Sequence, residues 1–226
     1  MNLHTDFSQR VVLLANEAEW SLCPTHGGER RMLDGVDDAL GPATRIIRYA
    51  PETILTATHH GGGVEMLVLE GAFTDERGIC PAGTYLRYPP GSTHSFVSAQ
   101  GCTLFVKQWQ FSADDRSTVR IDTTTADWYP GLVPGLSVMP LHEHDGVSTA
   151  LVRWAPDTRF NTHAHPGGEE ILVLKGVFSD EHGNYPAGAW LRSPRWSRHT
   201  PFTGSEGALI YVKVGAIGAE FLTNSA

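Results

Sequence analysis

Residues 48–107 and 153–213 are two versions of one passage. The first opens RYAPETILTATHHGGGVEMLVLEGAFTDERGICPAGTYLRYPPGSTHSF and the second RWAPDTRFNTHAHPGGEEILVLKGVFSDEHGNYPAGAWLRSPRWSRHTPF. The offset is 105 from Arg48/Arg153 to His94/His199, and 106 beyond one residue inserted near Glu206. A duplication of this length constrains the chain more than any other feature, because whatever fold suits one copy must suit the other. The echo reaches upstream, where Trp20…Arg31-Met32-Leu33 matches Trp128…Val138-Met139-Pro140-Leu141, so each copy carries a lead-in arm. The polar stretch 112–121 separates them, which predicts units over 1–114 and 115–226.

Within each copy the pattern is that of strands. Runs such as Met66-Leu67-Val68-Leu69, Ile171-Leu172-Val173-Leu174, Leu104-Phe105-Val106 and Leu209-Ile210-Tyr211-Val212 are short, branched or aromatic, and bounded by Gly or charge. Glycine and proline recur at matched points, as Gly71/Gly176, Gly78/Gly183, Pro81/Pro186 and Gly83/Gly188, marking tight turns between them. No stretch sustains a helical apolar period. The fold class predicted is all-β, with each copy a small sandwich or barrel.

Composition narrows function chiefly by exclusion. A formal charge of −8 without runs of Lys or Arg argues against direct nucleic-acid binding. No apolar window is long enough for a membrane span and the first residues do not read as a secretion signal, so a cytoplasmic protein is expected. Cys23, Cys80 and Cys102 have no Cys-x-x-Cys spacing and no cysteine partners in the second copy, which suits reduced structural thiols.

The copies differ where chemistry is carried. In a strand, side chains two apart share a face, so His163 and His165 direct two imidazoles the same way. Pro166-Gly167-Gly168 turns the chain, and Glu169 can return a carboxylate to the same place, whereas Glu170 has the opposite parity. His199 completes a set of three imidazoles and one carboxylate that suits Zn, Fe, Mn, Ni or Co. The first copy has Thr58 and Val64 where the second has His163 and Glu169, and it keeps only His60 and His94. His59 and Glu65 flank the lost positions with the wrong parity, although a bulge could bring one back. A weaker second site is therefore expected from His60, Glu65 and His94. His142-Glu143-His144 repeats the H-x-H spacing off the repeat pattern and reads as a solvated loop. His4, His26 and His182 read as surface residues.

The spacing of His163, His165, Glu169 and Gly176, followed by Gly188, Pro194 and His199, resembles the two signature motifs of the cupin superfamily. The first copy repeats the second motif as Gly83, Pro89, Gly91 and His94, while Trp196 stands in the other copy where a glycine is usual, which puts that turn's geometry in question. HxHPGGEEILVLxGxFSDEHGxYPAG is similar, more narrowly, to the ChrR-type cupins, named for the zinc-binding domain of ChrR anti-sigma factors. The resemblance implies two tandem jelly-roll barrels forming a bicupin, with a divalent metal held by His163, His165, Glu169 and His199. Zinc is the first expectation, and iron, manganese or nickel are compatible. It implies a small-molecule or stress sensor; the alternative is a metal-dependent enzyme, such as a dioxygenase acting on a small carbonyl compound. The His-x3-Cys-x2-Cys helical zinc module of anti-sigma factors is not found in the sequence, so a sigma-factor partner is not expected. Exposed edge strands make a homodimer the expected assembly.

Overall fold

The structure is a computed structural model that describes residues 2–14, 17, 19–23, 27–36, 41–112 and 114–215. Every regular element among them is a strand, as the short branched runs predict. No helix among them is long and apolar enough to cross a membrane.

The chain forms two compact units. In the first, the strands run in the order Glu29–Val36, Ala43–Tyr49, Cys102–Gln108, Val64–Asp75, Ser92–Ser98 and Thr53–His60. In the second, Leu136–His144, Val147–Trp154, Ala208–Val214, Glu169–Asp180 and Trp190–Ser193 follow one another, and His163–His165 pairs separately with Ser197–His199. The long strands Val64–Asp75 and Glu169–Asp180 change partners midway, which curls each sheet toward closure. They do so at Gly71 and Gly176, both at φ +69, where an added Cβ would lie 2.2 and 2.1 Å from the carbonyl oxygens of Gly101 and Gly207. Only glycine satisfies both demands.

Alternation fills the interiors. Val64, Met66 and Val68 join Leu86, Tyr88, Phe96, Leu104 and Val106 in the first core, and Ile171 and Val173 join Trp154, Phe178, Leu191 and Ile210 in the second. The lead-in tryptophans stack on the arginines that open each repeat, with Arg48 4.1 Å from the Trp20 ring and Arg153 4.0 Å from that of Trp128. All three cysteines are buried thiols outside any disulfide.

The arms are distributed otherwise than the repeat suggests. Asp6–Glu17 belongs to the second unit, where Val11–Leu13 pairs with Trp190–Ser193, and Val119–Asp122 belongs to the first, where it pairs with Thr84–Tyr88. The two receiving edges lie at matching repeat positions, so the repeat alone does not say which arm each of them takes. His142 and His144 also differ from expectation. They end the strand Leu136–His144, because Asp145 and Gly146, at φ 46 and 73, make a tight hairpin turn onto Val147–Trp154.

Candidate metal centre

His163–His165 is a three-residue strand whose register places His163 opposite His199 and His165 opposite Ser197. Alternation turns Ala164 away and brings both imidazoles to one face. Gly168, at φ +79, closes the turn by donating its N–H to the His165 carbonyl at 2.9 Å, so that Glu169 begins the next strand beside them. The Nε2 atoms of His165 and His199 are 3.1 Å apart, and each lies 3.5 Å from a Glu169 carboxylate oxygen. His163 completes the group, since one nitrogen from each histidine falls within 4.8 Å of the others. Its Nδ1 is 2.9 Å from the Asn161 carbonyl, which fixes the proton there and leaves the Nε2 lone pair free. Glu170 takes the opposite face and accepts from Trp190 Nε1 at 2.9 Å.

The electrostatics describe a site short of positive charge. Burial, with the nearby Asp180 carboxylate, pushes Glu169 up to about 7 despite the opposing pull of His199 and Arg10. Burial and the two other imidazoles bring His165 down to about 3, and burial lowers His163. His199 goes the other way, because Asp180 and Glu169 outweigh its burial. Two imidazoles held neutral, a third that gives up its proton to a ligated ion, and a buried carboxylate that ionises reluctantly fit a divalent cation, which would reverse the cost of those ionisations. The same shift makes Glu169's contribution to metal-free stability fall as pH rises from 4.5 to about 7, since the folded state binds the proton more tightly. Metal uptake has the opposite sign: affinity should rise with pH across about 6 to 8. Zinc titrated into weakly buffered protein at pH 6 is expected to release about one proton per ion or more; no release would overturn the assignment of Glu169 as a ligand.

A family model for the ChrR cupin-like domain matches the chain twice, over residues 8–112 and 116–218. The chain belongs to the ChrR cupin-like family. Each unit is a cupin barrel and the chain a bicupin. No curated protein sequence matches it. Its fold is similar to that of a candidate dioxygenase from Nostoc punctiforme (TM-score 0.81, 15% identity, 94% of this chain and 85% of that one). It is also similar to a candidate glyoxylate-induced protein from Pseudomonas aeruginosa (0.71, 14%, 94% and 90%). A third likeness is to an oxalate decarboxylase from Bacillus subtilis with Mn(II) centres (0.61, 17%, 95% and 79%).

In this bicupin the first barrel gathers less. His60 Nε2 is 3.0 Å from His94 Nδ1, and Tyr88 stacks on His94 with ring centroids 4.3 Å apart. Thr58 stands opposite His94 as His163 does opposite His199. Glu65 does not join the two imidazoles. A bulge does occur nearby, between His94 and Phe96 on one strand and Thr58 and Leu55 on the other, but it leaves the parity of Val64–Asp75 untouched. Val64 enters the core and the Glu65 carboxylate accepts from Arg87 Nη1 at 2.7 Å on the other face. His59 is exposed, 3.3 Å from Thr93 Oγ1. His142 and His144 are not part of the histidine group among the described residues. His182 is exposed and His4 half-buried, and His26 lies outside the described residues.

Trp196 keeps the turn that glycine makes in the other barrel. It adopts φ 63 where Gly91 has φ 83, and its N–H donates to the His165 carbonyl at 2.8 Å as Gly91 donates to His60 at 2.9 Å. The side chain is 69% exposed, so its bulk meets no core, and the left-handed backbone is held by the same hydrogen bond.

The sequence reading missed the groups behind His199. Asp180 Oδ2 lies 3.8 Å from its Nδ1, and Asp180 also accepts from Tyr185 OH at 2.7 Å and Arg10 Nη2 at 3.0 Å. The neighbouring His199 imidazole, the bonds from Tyr185 and the His182 N–H, and lastly the charge of Arg10 overcome burial and bring Asp180 down to about 2. The repeat offered a signal for Asp180, which matches Asp75, but none for Arg10 or Tyr185, whose counterparts are Thr118 and Cys80.

Proposed function

We propose that the protein is a metal-dependent binding module, a sensor whose second barrel holds one divalent ion, zinc first, through His163, His165, Glu169 and His199. The observation that carries this is the asymmetry of the donor set. The side chains of Glu169, His199 and His165 are 8%, 9% and 11% exposed, whereas His163 stands at the more open rim, so an ion bound by all four has its open side there for a small ligand. The ion would supply Lewis acidity, polarising a carbonyl or acidifying a water. Glu169 offsets its charge, and the Asn161 carbonyl keeps the His163 lone pair turned inward.

A second reading, a metal-dependent enzyme acting on a small carbonyl compound, is favoured by the same open side together with the fold shared with the candidate dioxygenase and the Mn(II) oxalate decarboxylase. Elemental analysis of protein purified without added metal is expected to count about one ion per chain. A count of zero would remove both readings. Steady turnover of oxalate or a small diketone by Fe(II)- or Mn(II)-loaded protein under air would favour the second over the first.

A further inference from the structure

The groups behind His199 connect the candidate metal centre to the segment Asp6–Glu17. Arg10 immediately precedes the strand Val11–Leu13, which adds to the barrel edge at Trp190–Ser193. Its Nη2 donates to Asp180 Oδ2 at 3.0 Å and to Tyr185 OH at 2.6 Å, and its guanidinium lies 5.4 Å from the Tyr185 ring centroid. Asp180 is pinned further by N–H donation from His182 at 2.8 Å and Gly183 at 3.2 Å. The two carboxylate oxygens are used differently. Oδ1 is taken by Tyr185 and the two N–H groups, while Oδ2 both receives the arm's arginine and lies 3.8 Å from Nδ1 of His199, whose Nε2 points at His165 and Glu169.

The first barrel contains the same arrangement built from other positions. Asp75 accepts from Tyr88 OH at 2.5 Å, from Arg120 Nη1 at 2.9 Å and from the Arg77 N–H at 2.8 Å. Arg120 lies on Val119–Asp122, the arm of that unit. The aspartate and its backbone donor two residues on, Arg77 and His182, are at matching repeat positions, but the arginine and the tyrosine are not. Arg120 sits opposite Leu86 where Val12 sits opposite Leu191, and Tyr88 matches Ser193 rather than Tyr185. An arm arginine and a tyrosine closing on one aspartate have therefore been assembled twice from non-equivalent residues. A fixed strand-packing contact inherited with the duplication would have used equivalent ones.

We propose that Arg10 is a positioning residue for the metal centre, acting through Asp180 on the orientation and tautomer of His199, so that docking of the Asp6–Glu17 arm and metal binding favour one another. The inference rests on the ligand assignment proposed above. A ligating imidazole is held in one tautomer when its other nitrogen donates to a carboxylate. Asp180 can do this only while its carboxylate stays aimed at Nδ1, and Arg10 supplies the side-chain hydrogen bond to the very oxygen that faces His199. By linkage, whatever factor the docked arm adds to metal affinity, the metal must add to docking of the arm. In a sensor, that exchange would carry the state of the site to the chain's surface.

The test uses the full-length protein with Zn(II) and Co(II) as probes. Asp180→Asn should weaken affinity about tenfold or more and shift the visible Co(II) bands. Arg10→Met should weaken it several-fold and shift the same bands, Arg10→Lys should recover most of the loss, and Arg10→Met should add nothing in the Asp180→Asn background. Zinc should slow amide exchange at Val11–Leu13 in the wild type and not in Arg10→Met. If Arg10→Met lowers the melting temperature but leaves affinity and spectrum unchanged, Arg10 merely fastens the arm and the proposal is overturned. Full additivity with Asp180→Asn overturns it as well. If instead the ion survives in His163→Ala/His199→Ala, the ligand assignment is wrong and takes this inference with it.

Discussion

The double variant His163→Ala/His199→Ala is expected to lose the bound ion, with metal per chain falling from about one to near zero by elemental analysis. His199 is the more sensitive of the two, being buried and in contact with both His165 and Glu169. If the ion is present at about a hundred times its dissociation constant, its loss removes about 2.7 kcal/mol from the folded state. For a unit of this size that lowers the melting temperature by about 10 °C or more. His142→Ala and His144→Ala should change neither quantity. The comparison must include protein stripped by a chelator, in which the double variant should melt close to the parent. A double variant that retained its ion would show that the ligands lie elsewhere.

The first barrel allows the converse experiment. Thr58→His and Val64→Glu restore the missing donors on paper, since Thr58 stands opposite His94 and Val64 begins the strand that corresponds to Glu169. The structure shows why two changes are too few. Val64 pairs with Tyr88 as Glu169 pairs with Ser193, so a large ring that lies flat on His94, centroids 4.3 Å apart, stands where the second barrel has a serine. The two-residue variant should stay near one ion per chain. Adding Tyr88→Ser should open the site and raise the count to about two. Removing the buried tyrosine costs about 3–5 kcal/mol before metal binds, and it also deprives Asp75 of its phenolic donor. The triple variant should therefore be markedly less stable without zinc and should regain part of the loss with it. Two ions in the wild type, one of them lost on His60→Ala or His94→Ala, would mean that the first barrel already binds metal by recruiting His59 or Glu65 despite their parity.

Much of the site was legible because its ligands are placed by local rules. Alternation along a strand puts His163 and His165 together, a glycine turn returns Glu169 beside them, and parity alone separates Glu169 from Glu170. The same parity places Glu65 away from His60 and His94, where the structure gives it to Arg87. The duplication itself predicts two like units, whereas Gly71 and Gly176, expected at tight turns, lie inside the long strands where these change partners. Trp196 shows the limit of reading a motif residue by residue, because the hydrogen bond from its N–H preserves the turn without the glycine.

What the sequence left undetermined depends on pairings between distant segments. Which barrel edge takes each arm cannot be read from the repeat, since the two edges lie at matching repeat positions. For that reason Arg10 gave no sign of its place beside Asp180, 170 residues away. Nor could Tyr88 be recognised as the side chain that stacks on His94, since it enters from a neighbouring strand. Periodicity and turn chemistry act over a few residues and are written into the chain directly. Strand partnership and the filling of a barrel are settled by burial summed over the whole unit, and only the tertiary structure decides them.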